Sequence, residues 1–150
     1  MKIGSILENH NLEKRVAITP EIAKKYISLG AEVMLCENYA SHLGIKDNEY
    51  KDMGVSIIKD EKKILNDSNV VVQLTLLNDD KNSLLKESQI FIGALNPYVN
   101  KDKINDLVKK KINLFSLDLL PRITRAQSMD ILSSQANLAG YKAVVESFNF

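Results

Sequence analysis

With 150 residues, 45% of them hydrophobic, the chain is long enough to bury one sizeable core and short enough to be a single domain. Twenty basic against nineteen acidic residues leave a formal net charge of +1, and the longest basic block is Lys109, Lys110 and Lys111; the footprint of a nucleic-acid binder is missing, so no nucleic-acid partner is expected. One cysteine makes no disulfide scaffold, and charge interrupts every apolar run well before the roughly 18 residues that span a bilayer, so a reducing, aqueous compartment is expected.

Residues 2–7 open the chain as an apolar run of strand length. Residues 20–29 follow with helix signals: Thr19 as N-cap, Pro20 at the first helical position, Glu21 in the first turn, Gly30 just past the end, and Ile22, Tyr26 and Leu29 facing one way. Residues 31–36 read as the second strand, with Cys36 a buried, inert thiol. Strands at 55–58, 70–76, 89–93 and 112–117 then alternate with helices at 47–53, 61–65, 80–86 and 101–110. Near-continuous runs such as Val70-Val71-Val72 suit strands covered on both faces, which predicts a three-layer, open α/β fold of the Rossmann-like or flavodoxin-like kind. About six mostly parallel strands are expected, ending in a long C-terminal helix.

Turns at Asn78-Asp79-Asp80 and Asn96-Pro97 and the loop 118–121 follow candidate strands, where open α/β sheets bind ligands. None of the six glycines stands in a G-x-G arrangement, so the chain carries neither a dinucleotide fingerprint nor a P-loop. His10 and His42 stand alone, without partners at ligand spacing, and no metal is expected.

The tail PRITRAQSMDILSSQANLAGYKAV, residues 121–144, reads as helical from Thr124. Met129, Leu132, Ala136, Ala139 and Ala143 form one stripe, expected to wedge the helix against other elements. A second stripe of Gln127, Asp130, Ser133 or Ser134, Asn137 and Tyr141 is polar but nearly uncharged in a lysine-rich chain, a mixture of donors and acceptors suited to a polar, weakly charged ligand. Arg122 and Arg125 flank Thr124; an arginine fork there either grips a carboxamide or carboxylate oxygen or pairs with Asp130 to shape the loop.

Over essentially its whole length the sequence resembles the alpha subunit, or NAD-binding component, of proton-translocating NAD(P) transhydrogenases. The carriers are the tail segment and KRVAITPE at residues 14–21, a motif that this family shares with alanine dehydrogenases. The resemblance implies an α/β domain packed against a separate Rossmann domain, with NAD(H) in the cleft between them. It further implies that Arg122, Gln127 and Asp130, followed by Ser133, lie over the nicotinamide. Arg122 is then expected to take the carboxamide oxygen, Asp130 and Ser133 the carboxamide nitrogen, and Gln127 to face the second nucleotide. Hydride passes directly between NAD(H) here and NADP(H) on a partner component, so Gln127 and Asp130 serve the reaction by positioning, with no side chain acting as acid, base or nucleophile.

The same resemblance implies a membrane-spanning partner component, a homodimer of the full subunit, and a cytoplasmic place at the inner face of the membrane through those partners. An alanine dehydrogenase is the alternative enzyme reading: Arg15 matches a substrate-binding arginine, but the family's lysine and histidine positions hold Thr75 and Asn96. In that setting Arg15 is expected to fix its loop by bonding carbonyls near the cleft. Residues 38–44, NYASHLG, depart from the glycine-richer turn usual in the family. The Rossmann half with its glycine fingerprint is not in these 150 residues, so the chain by itself is expected to bind NAD(H) negligibly and to turn nothing over. A noncatalytic binding module that retains the fold is the remaining alternative.

Overall fold

The computed structural model describes residues 1–148. Among them six strands, β1 (Lys2–Ser5), β2 (Glu32–Cys36), β3 (Ser56–Ile58), β4 (Val70–Val72), β5 (Ile90–Gly93) and β6 (Asn113–Ser116), alternate with helices α1 (Pro20–Ser28), α2 (Asp47–Asp52), α3 (Glu61–Asp67), α4 (Asp79–Ser83) and α5 (Lys101–Lys109), and α6 (Ile131–Ser147) closes the series. The strands form one sheet in the order β3-β2-β1-β4-β5-β6, and each neighbouring pair is parallel. This is the Rossmann order, and the direction of winding reverses between β1 and β4, opening a crevice beyond their carboxyl ends. The apolar strand runs are covered as their composition requires: Ile3, Val33, Leu35, Val71 and Phe91 are buried.

The signals at α1 act as read. Thr19 caps the helix by accepting from the Ile22 N–H at 3.4 Å, and Gly30 leaves it with φ +83°. Leu29, however, is 83% exposed, because the helix ends before it; Ala23 is buried and Ile22, Tyr26 and Ile27 pack on the core instead. The strand expected over 70–76 stops at Val72. Beyond it side chains from the β1 end tie the chain, the Glu8 carboxylate accepting from the Leu74 N–H at 2.5 Å and from Thr75 Oγ1 at 2.6 Å. Gly93 is required where β5 passes that segment, since a Cβ there would stand 2.5 Å from the Gln73 carbonyl oxygen. Cys36 is buried as expected, and the loss of water around it pushes the thiol up to about 12.

The tail departs most from expectation. Residues Thr124–Met129 form a 3-10 turn, and Asp130 breaks the helical path with φ −73° and ψ 97°. Its carboxylate accepts from the Leu132 and Ser133 N–H groups at 3.0 and 3.1 Å, so it begins a new helix by capping it. No face of α6 is buried against the described residues; Leu132, Leu138 and Tyr141 are 47, 61 and 73% exposed. At about 100° per residue, Leu132, Leu138, Tyr141 and Val144 point to different sides, so the helix is apolar around most of its circumference rather than along one stripe.

Candidate functional site

The site is built on the connection from β6 to α6. Leaving Ser116, the chain turns at Leu117–Leu119, where Asp118 accepts from the Asn96 N–H at 3.0 Å and from the Ser116 hydroxyl, tying the ends of β5 and β6 together. After Pro121 the loop tightens through Ile123 N–H to Pro121 O and Ala126 N–H to Ile123 O, both 2.9 Å. Ala126 is the one buried residue of the Thr124–Met129 turn.

Arg122, Ile123, Thr124, Gln127, Asp130 and Ser133 line a concavity of about 320 Å³ on the outside of this turn. The four residues singled out in the sequence as a cofactor site thus share one wall. They meet by a different route from that expected, because a bend at Asp130 brings them together rather than one face of an unbroken helix. Arg125, Asn137 and Tyr141 do not line it. Neither arginine forms an ion pair with any described residue, so a pairing with Asp130 is not what shapes the loop.

Within the concavity the polar groups are unevenly occupied. Asp130 Oδ1 accepts the two capping N–H groups, and Oδ2 accepts from the Ser133 hydroxyl at 2.6 Å. The Ser133 hydroxyl and N–H hold the Asp130 carboxyl below the usual carboxylate range, so it is an anion at neutral pH. Its second oxygen keeps an open lone pair. The Arg122 guanidinium and the Gln127 side-chain amide bond no described residue. The site therefore offers unspent donors beside an anchored acceptor.

A larger cleft of about 740 Å³ opens at the β1/β4 reversal, lined among others by Glu8, Thr75, Asn78, Lys81, Asn96 and Lys103. Two of the loops expected to meet ligands, at Asn78 and Asn96, do border it. Its charges are already used: Lys81 pairs with Glu61 at 2.8 Å, Lys103 with Asp79 at 3.1 Å, and both oxygens of Glu8 hold the chain after β4. Glu8 escaped the sequence reading because it stands in no periodic pattern.

The KRVAITPE loop is fixed to the body by buried hydroxyls. Tyr39 Oη accepts from the Ala17 and Ile18 N–H groups, each at 3.2 Å, and lies 2.7 Å from Ser5 Oγ, while Tyr50 donates to the Ile18 carbonyl at 2.8 Å. Arg15 does not bond carbonyls as expected. Its Nε and Nη2 grip the two oxygens of Glu13 at 2.9 and 2.7 Å, and Nη1 donates to Gln135 Oε1 of α6 at 2.7 Å. His10 and His42 do not stand alone either: their rings stack at 3.9 Å between centroids, and His42 Nε2 bonds the Lys14 carbonyl at 2.7 Å. Asn38 and Gly44, at φ +59° and +80°, bracket that turn.

The sequence pattern of the family described as Alanine dehydrogenase/PNT, N-terminal domain, matches residues 5–139. The chain is 38% identical over 151 aligned residues to the first of the separately encoded pieces of the NAD(P) transhydrogenase alpha subunit of Rickettsia prowazekii, covering 98% of this chain and 39% of that protein. Among solved structures, the transhydrogenase from Sinorhizobium meliloti superposes with a TM-score of 0.89 at 33% identity, over 97% of this chain and 43% of that one. An L-alanine dehydrogenase superposes with a TM-score of 0.74 at 19% identity, over 79% of this chain and 32% of that one, which is a likeness of fold alone. The chain thus spans about two fifths of the length of the relatives it matches.

Proposed function

Because the chain belongs to the alanine dehydrogenase/PNT N-terminal domain family, we propose that it forms one wall of the nicotinamide site in the NAD(H)-binding component of a proton-translocating NAD(P) transhydrogenase. The observation that carries this reading is the concavity that gathers Arg122, Gln127, Asp130 and Ser133 while leaving the Arg122 guanidinium and the Gln127 amide uncommitted.

The donor set suits a carboxamide. Arg122 supplies N–H groups for its oxygen, the open lone pairs of Asp130 and Ser133 accept from its nitrogen, and Ile123 lends apolar surface to a flat ring. Gln127, whose amide is also free, faces the second nucleotide. When bound, the nicotinamide supplies the hydride chemistry. The residues of this chain hold and orient, and the Asp130 anion needs no proton transfer to do so.

In this reading the rest of the cofactor cleft comes from a glycine-fingerprint Rossmann domain outside these residues, NADP(H) from a partner component, and membrane attachment at the cytoplasmic face from a spanning component. The full subunit forms a homodimer. No described helix is long and apolar enough to cross a membrane. An alanine dehydrogenase activity is disfavoured: Arg15 is spent on Glu13 and Gln135, the Thr75 hydroxyl on Glu8, and Asn96 brings no titratable group to the cleft.

Reduction of a thionicotinamide analogue of NADP by NADH, with the full subunit and an NADP-binding partner, tests the assignment. Gln127→Ala and Asp130→Ala are expected to slow it by about tenfold or more, the scale on which misplaced reacting groups lose rate; unchanged rates in both variants remove the assignment. Calorimetry on the 150-residue chain alone is expected to show no micromolar NADH binding.

A further inference from the structure

We propose that Arg15 is a positioning residue for the nicotinamide site, acting through a Glu13–Arg15–Gln135 strap that fixes the first turns of α6 and with them Asp130 and Ser133. The inference rests on the reading of that site given above. Its starting point is the poverty of contacts around α6. Among the described residues, Arg15 Nη1 to Gln135 Oε1 is the only hydrogen bond between α6 and any residue ahead of Asp130. No α6 side chain is buried, and the helix otherwise approaches the body at the Leu117–Leu119 turn.

The other end of the strap is rigid. The segment carrying Arg15 is pinned on both sides, by Tyr39 and Tyr50 at residues 17–18 and by His42 at the Lys14 carbonyl. Glu13 then fixes the guanidinium plane, taking Nε and Nη2 on its two oxygens and the Arg15 backbone N–H at 2.9 Å. The guanidinium beside Glu13 holds that carboxyl below the usual carboxylate range, so the fork persists well into acid. Only Nη1 is left to reach outward, and it aims at α6.

One bond at this place has leverage. Gln135 lies five residues beyond the cap, about 7.5 Å along the axis. A helix held only at its first residue pivots and rolls; a second fixed point removes the roll. The direction of the Ser133 hydroxyl, two residues earlier, is thereby set relative to Arg122. Lysine could not replace Arg15, because a single ammonium cannot clasp Glu13 in two places and still reach Gln135.

The test uses Gln135→Met, which removes the acceptor and leaves the Glu13–Arg15 fork whole, and Gln135→Glu, which restores one. Amide hydrogen exchange across residues 131–136 of the chain should quicken about fivefold in Gln135→Met, the effect of losing one net hydrogen bond, and return in Gln135→Glu. In the full subunit the Michaelis constant for NADH should rise about fivefold in Gln135→Met with kcat nearly unchanged. Unaltered exchange in Gln135→Met overturns the strap. Faster exchange with an unaltered Michaelis constant, while Arg122→Ala raises it, overturns the positioning role and leaves the site reading standing. If Arg122→Ala also leaves it unaltered, the site reading itself has failed and the proposal falls with it.

Discussion

Replacing Tyr39 by phenylalanine deletes one oxygen from the centre of the molecule. Ser5 Oγ donates to Gln73 Oε1 at 2.7 Å, so Tyr39 must donate to Ser5 while accepting the Ala17 and Ile18 N–H groups. Tyr39 is 1% exposed and Ile18 0%, so in Tyr39→Phe water cannot take over the Ile18 N–H. An orphaned buried amide costs about 1–3 kcal/mol, and the half-buried Ala17 amide and the partly satisfied Ser5 hydroxyl add less, for a total of about 2–3 kcal/mol. In a domain of this length that lowers Tm by about 5–10 °C. Urea unfolding followed by circular dichroism measures the loss, and hydrogen exchange at Ala17 and Ile18 locates it. Tyr50→Phe should cost only about 1 kcal/mol, since it frees a carbonyl, which tolerates a missing partner better than an amide does. A Tyr39→Phe penalty below about 0.5 kcal/mol, or one smaller than that of Tyr50→Phe, refutes the assignment of donors and acceptors on which the loop's rigidity rests.

Gly93→Ala drives a Cβ to 2.5 Å from the backbone oxygen of Gln73, which cannot step aside, and urea unfolding should show a loss of about 2–3 kcal/mol. The Cys36 thiol, 2% exposed and pushed up to about 12 by burial, should resist a disulfide reagent at pH 8 and react at the rate of unfolding; quick stoichiometric labelling of the native chain contradicts its burial. Asp130 is held below its unfolded value, so its contribution to α6 is complete above about pH 4 and is lost as the pH falls through the lower folded value. Asp130→Asn caps nearly as well and should flatten that acid limb of helicity at 222 nm, whereas Asp130→Ala should lower helicity at every pH. Gly140→Ala meets nothing within 4 Å and should raise α6 helicity in this chain, by about 1 kcal/mol of propensity. The same change should weaken the full subunit if another domain packs there.

The sheet was legible because its signals are local. Val70-Val71-Val72 and its counterparts are short, β-branched and bounded by turn residues, and Thr19-Pro20 and Gly30 bracket α1 wherever the helix sits. The order of the strands was not legible, since the β1/β4 reversal depends on pairings 67 residues apart, as between Ile3 and Val70. Arg122, Gln127, Asp130 and Ser133 could be singled out because they are polar in an otherwise charge-poor stretch. Their geometry could not: Asp130 satisfies helical spacing and is also a strong cap, and the cap prevails because its carboxylate captures two N–H groups that a continuous helix would have bonded to carbonyls. Arg15 and Gln135 stand 120 residues apart, and no pattern in either segment announces the other.

Where the fold is rigid and where the proposed chemistry lies do not coincide. The β1/β4 crevice is braced by Gln73, Glu8, Tyr39 and Ser5, yet its polar groups are spent on holding the chain together. The concavity with unspent donors sits on a turn with one buried alanine and a helix with no buried side chain. A positioning site needs its groups held to fractions of an ångström, so such a site works only if something else stiffens it. The structure supplies one stiffener in the Arg15 fork, and α6, apolar on most sides, asks for a second in the form of a packed neighbour. Binding strength in this arrangement should therefore follow the immobilisation of α6 more closely than the number of groups lining the concavity. Variants that tighten or loosen the helix without touching the concavity, Gly140→Ala and Gln135→Met among them, are the ones that separate those two contributions.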